Sequence, residues 1–120
     1  MDNKIVEVLA KRDLEEARRL LAEVHREKTF LLADYYLGRD VMGEAARLHA
    51  LHIALISLIY SEVKAGGLTG LDLALASSFA EARARCGRVE APRAPGELAD
   101  FYDRVAEELN KLLERLCSRS

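Results

Sequence analysis

The chain has no glutamine, no tryptophan, two asparagines and two prolines in 120 residues, and arginine far outnumbers lysine. So few thermolabile amides, in a chain rich in Ala, Leu, Arg and Glu, fit a thermophilic source; a GC-rich genome would leave the same Arg and Ala excess. Two cysteines, Cys86 and Cys117, make no disulfide framework, and nothing sits at Cys-x-x-Cys spacing for zinc. With two successive helices taken as antiparallel, the second separates the two thiols by about 30 Å, so reduced thiols are expected. Residues 1–12 carry neither the apolar run nor the cleavage site of a secretory signal. The longest uninterrupted apolar stretch, within residues 53–60, is too short to span a bilayer. A cytoplasmic, non-membrane protein is therefore expected. A formal charge of −2 gives no global attraction to nucleic acid or an anionic surface. Gly-rich phosphate loops, strand-like alternation and internal repeats are all missing, and no cofactor is implied.

What is there is helix. Residues 41–65 read as a rod apolar on most of its circumference. Leu48, Leu51, Leu55, Leu58 and Ile59 crowd one side, and Ile53, Ile56, Tyr60 and Val63 extend it. Such a helix must be covered on most sides by the rest of the chain.

The flanking segments carry the signals for that cover. Residues 4–10 suit a short amphipathic helix with Ile5, Val8 and Leu9 on one side. Asp13 followed by Glu16 has the form of a capping box opening a longer helix, whose apolar face runs through Leu14, Ala17, Leu21, Val24, Leu31, Leu32 and Tyr35. Gly38 suits the left-handed stop of that helix, and Asp40 the cap of the next. So short a turn predicts antiparallel neighbours. The rod stops at Gly66-Gly67. Leu68, Thr69, Asp72 and Leu73 then form a capped and stapled helix start. That helix carries a stripe of Leu71, Leu75, Phe79, Ala82 and Cys86 beside a small-residue stripe of Ala76, Ala80 and Ala84, with Gly87 as its stop. Pro92 and Pro95 exclude regular helix over residues 88–95, with Pro95 suited to open the next helix. Residues 96–117 repeat Leu98, Tyr102, Val105, Leu109, Leu112 and Leu116 at bundle spacing. The expected fold is one all-α domain over residues 1–120, an up-down-up-down four-helix bundle with a short extra N-terminal helix.

Four groups of residues are candidates for function. Phe30, Ala33 and Leu37 recur on the side of their helix opposite its main apolar face, which marks an extra contact there, with either the short N-terminal helix or, as a self-association surface, a second copy of the chain in a dimer. His49 and His52 lie at i,i+3, and an antiparallel turn at residues 38–40 places His25 at the same level. The three imidazoles can then bind a metal, or form a polar core cluster, which is the reading preferred because no inward carboxylate is evident. Lys28 falls among Leu21, Leu32 and Tyr35, where it either loses its proton readily or extends to the rim. Arg83, Arg85, Arg88 and Arg93 can hold a phosphate or RNA backbone, although cations at a helix C-terminus also serve stability alone.

The succession of helices resembles the HEPN superfamily of small prokaryotic bundles. The segments LEEARRLLAEV (residues 14–24) and FYDRVAEELNKLLERL (residues 101–116) carry the resemblance, with the apolar helix ending in Gly66-Gly67. It implies a helical bundle that is often dimeric. Active members are metal-independent ribonucleases using Arg-x4–6-His across the dimer, a spacing that Arg47 and His52 satisfy. Inactive members are partner subunits or nucleotide-binding modules. A separation of five residues turns His52 about 140° from Arg47 on one helix. The expected function is therefore a non-catalytic bundle that self-associates or docks on a partner. The alternatives are a HEPN-like ribonuclease or a bundle binding a small ligand or metal.

Overall fold

The computed structural model describes residues 2–59 and 70–118, which form five helices and, among the described residues, no strand. The rod is α3 (Met42–Ile59), and it packs against every other helix: α1 (Asp2–Lys11), α2 (Leu14–Tyr36), α4 (Gly70–Arg85) and α5 (Glu97–Cys117). Leu51, Ile53, Ala54, Leu55 and Ile59 lose essentially all contact with solvent. By length and composition α3 is apolar enough to cross a membrane, but 56% of it is buried inside the fold. The Gly66-Gly67 stop and the Leu68/Thr69 helix start lie outside the described residues.

Local signals place the helix ends closely. Asp13 caps α2, its carboxylate accepting from the Glu16 amide at 3.2 Å. The Glu16 carboxylate turns to Arg19 and Lys4. Gly38 takes a positive φ of 79° just past α2, and the Asp40 carboxylate accepts from the Met42 amide at 3.2 Å. After α4 the left-handed residue is Cys86, φ 52°, one position before the glycine expected to stop the helix. Gly96, not Pro95, opens α5, again with positive φ.

The helix directions depart from the expected up-down-up-down order. α2 and α3 are antiparallel: Lys28 meets His49 and His52, while Tyr35 lies near Val41 and Ala45. α3 and α4 run the same way, with His49 against Asp72 at one end and Leu58 near Phe79 and Ala80 at the other. α4 and α5 are parallel too. Asp72 bonds Tyr102 near their starts, and Cys86 is joined to Cys117 at their ends, Cα atoms 5.8 Å apart.

That disulfide corrects the expectation of two distant reduced thiols. The separation of 30 Å rested on an antiparallel pair. The two prolines hold residues 88–95 out of helix, so the connection runs back along α5. Its roughly 11 extended residues span about 36 Å, enough to match the length of α5, roughly 32 Å. Asn110 fixes the course. Its Oδ1 accepts from the Val89 amide at 2.8 Å and its Nδ2 donates to the Val89 carbonyl at 3.0 Å, so one side chain satisfies both backbone groups of a buried loop residue.

Apolar faces shift in detail. α5 buries Tyr102, Val105, Leu109, Leu112 and Leu116, adding Ala106, Asn110 and Leu113, but leaves Leu98 half exposed. α2 buries only Ala17, Leu20 and Val24 fully. Its last two turns overhang the core, so Leu32 and Tyr35, expected inside, are exposed.

Candidate polar cleft between α2, α3 and α5

The antiparallel turn brings His25, His49 and His52 to one level. The His25 and His52 ring centres are 4.7 Å apart, edge to face, and those of His49 and His52 are 5.7 Å apart. Among the described residues no group of three or more His, Cys, Asp or Glu side chains is arranged to hold an ion. The ammonium of Lys28 stands where two of the rings converge: Nζ is 2.8 Å from His49 Nδ1 and 2.9 Å from His52 Nδ1.

The carboxylate judged missing from the sequence is Asp72. It is buried at the head of α4 and reaches His49 Nε2 at 2.7 Å, while the Tyr102 hydroxyl donates to the same Oδ1 at 2.7 Å. The signal was present. Asp72, Leu75, Ala76, Phe79 and Ala82 are the buried stripe of α4, and Asp72 falls on it at i, i+3, i+4, i+7 spacing.

Hydrogen bonding sets the protons. A carboxylate only accepts, so His49 Nε2 carries the hydrogen and Nδ1 offers its lone pair to Lys28. Burial, reinforced by the charge of Lys28, pushes the pKa of His52 down to about 3, so it stays neutral. Burial also lowers Lys28, to about 8, with Asp72 opposing the shift. Two imidazole acceptors and a more distant carboxylate thus surround an amine that is only half buried.

Beside this amine a cleft of about 300 Å³ opens to the surface. Leu31, Leu32 and Tyr35 wall it on α2, Val41 and Ala45 at the start of α3, and Phe101 on α5; Lys28 and His49 are its polar lining. Its size is near the lower bound for small-molecule sites.

The other candidates lie elsewhere. Phe30, Ala33 and Leu37 are exposed, together with Tyr36 and Met42. Arg47 is held by both oxygens of Glu44 and by Asp2 Oδ1 at 2.5 Å, which raises its pKa further. His52, on the same helix, faces Lys28, so the two groups meet different neighbours. Arg83 borders a depression with Arg12 and Ser57, Arg88 borders another beside Cys86 and Asn110, and Arg85 lies 3.9 Å from Glu81. Arg93 is exposed. In the small-residue stripe of α4, Ala76 is buried and Ala80 and Ala84 are open. No protein-family model, curated protein or solved structure matches the chain.

Proposed function

We propose that this chain is a non-catalytic helical module that pairs with a second copy of itself through the overhanging end of α2. The observation that carries the reading is the cluster of large apolar side chains left open there: Phe30, Leu32, Tyr35, Tyr36, Leu37 and Met42. Aromatic residues and methionine are the types enriched where proteins meet. Charge permits a like partner. Exposed Arg26, Glu27 and Asp40 flank the patch in sequence and Arg39 pairs with Asp34 at 2.6 Å within the chain, so both signs are present and no single sign repels a two-fold copy. Ala33 between the large residues lets two such helices approach closely.

Kinship with the HEPN superfamily is a proposal of the same kind, and it too asks for a pair. The engagement of Arg47 with Glu44 and Asp2, and the burial of His52 against Lys28, support the partner-subunit side of that family over its ribonucleases.

Light scattering over a concentration series tests the reading. Wild type is expected to move from one to two copies as concentration rises, and Phe30→Ser with Leu37→Ser to stay single. Both side chains are more than half exposed, so the double variant should keep its helical circular dichroism. A wild type that remains single at all concentrations contradicts the reading. So does pairing unchanged in the variant.

A further inference from the structure

We propose that Lys28 is a carbonyl-capturing amine, which condenses with a short aliphatic aldehyde or ketone seated in the cleft between α2, α3 and α5. The proposal rests on geometry within one chain and goes beyond the pairing reading.

Three features carry it. In its neutral form an amine has two hydrogens and one lone pair. The two imidazole Nδ1 atoms, at 2.8 and 2.9 Å, take both hydrogens of Lys28 Nζ. The lone pair is then the one tetrahedral position not occupied, and Lys28 borders the cleft. Second, Lys28, His49 and Asp72 form a continuous chain through Nζ, Nδ1, Nε2 and Oδ1. A carboxylate that fixes an imidazole tautomer, with the other ring nitrogen at a nucleophile, is the arrangement that activates weak nucleophiles. Third, the cleft walls are apolar side chains, among them Leu31, Leu32 and Phe101, and among the described residues its lining offers no second Lys or Arg. That suits an aliphatic chain and disfavours a phosphorylated or carboxylated one.

The step balances without a redox partner. The Nζ lone pair attacks the carbonyl carbon, and the carbonyl π electrons pass to oxygen. His49 Nδ1 takes the proton released from nitrogen while Asp72 steadies the imidazolium through Nε2–H. The proton passes to the oxygen, giving a carbinolamine. Loss of the hydroxyl as water, with a proton returned through His49, leaves an imine; one carbonyl and one amine give one imine and one water. Lowered basicity supports this chemistry: a lysine near 8 holds on the order of 100-fold more free amine at neutral pH than one at 10.5.

Hexanal with cyanoborohydride at pH 7, followed by peptide mass mapping, tests the proposal. A hexyl adduct is expected on Lys28 first, forming at least about tenfold faster than on the exposed Lys4, Lys11 and Lys111, the lower nucleophilicity of a less basic amine offsetting part of its gain in free base. Asp72→Asn acts through His49. It should lower the high-pH plateau of the labelling rate at Lys28 about tenfold and move the midpoint of its pH–rate profile downward, because Asp72 holds the lysine's pKa up, leaving the other lysines unchanged. The same labelling in Phe30→Ser, which does not line the cleft, separates this outcome from that of the pairing reading. Labelling of Lys28 no faster than at the exposed lysines overturns the proposal. Hexanoate binding at the cleft without hexanal adduct formation also overturns it and assigns the site to a carboxylate.

Discussion

At the scale of single residues, His52 shows how one buried ring ties stability to pH. Its pKa falls from the ordinary 6.5 to about 3 in the fold, because burial and the neighbouring Lys28 and His49 oppose its charge more than Asp72 favours it. Between those values the unfolded chain binds a proton that the folded chain refuses. The contribution is therefore full above about pH 6.5 and is lost as pH falls toward 3, at up to about 1.4 kcal/mol per pH unit. Urea unfolding between pH 7 and 4.5 should show that acid limb, and His52→Phe should flatten it by one proton. An unchanged slope in the variant would place the proton elsewhere. The meeting of His25, His49 and His52 was legible in the sequence, because i,i+3 spacing and an antiparallel turn fix level and face; the place of Lys28 between two of them was not. Asp72 was not recognised as their partner. Its place three residues after Thr69 made a helix cap the nearer explanation, and a cap requires no knowledge of which helices are neighbours.

At the scale of elements, the helices themselves were readable and their directions less so. Apolar spacing located all five, and the caps at Asp13 and Asp40 placed the starts of α2 and α3, since both signals act over a few residues. Direction after α3 depends on the connections. An extended loop of Pro92 and Pro95, clamped by Asn110 to Val89, returns the chain to the start of the bundle, and no local pattern encodes that return. The parallel course of α4 and α5 is what brings Cys86 to Cys117. A cross-link closing a loop of this length, 31 residues in separation, stabilises by about 3–4 kcal/mol through the unfolded chain. Cys86→Ser with Cys117→Ser should lower the urea unfolding free energy by about that amount with the helical content unchanged. A loss below about 0.5 kcal/mol would mean that Asn110 and the apolar seam hold the ends together without it.

At the scale of the whole molecule, one rod sets the organisation. α3 touches all four other helices, and among the described residues the large apolar side chains left open gather, Leu98 on α5 apart, where another helix outruns the core. That overhang is the end of α2. Phe30, Ala33 and Leu37 marked a second apolar side in the sequence, but the exposure of Leu32 and Tyr35 on the first was not legible there: a repeat of apolar residues states which side of a helix could be covered, not how far the cover extends. We propose that a second copy of the chain completes it. Hydrogen–deuterium exchange at low and high protein concentration tests this most directly. Added protection is expected at high concentration over residues 28–42, with α4 and α5 unchanged. Protection that is independent of concentration, or that appears on α4 or α5 instead, would contradict it.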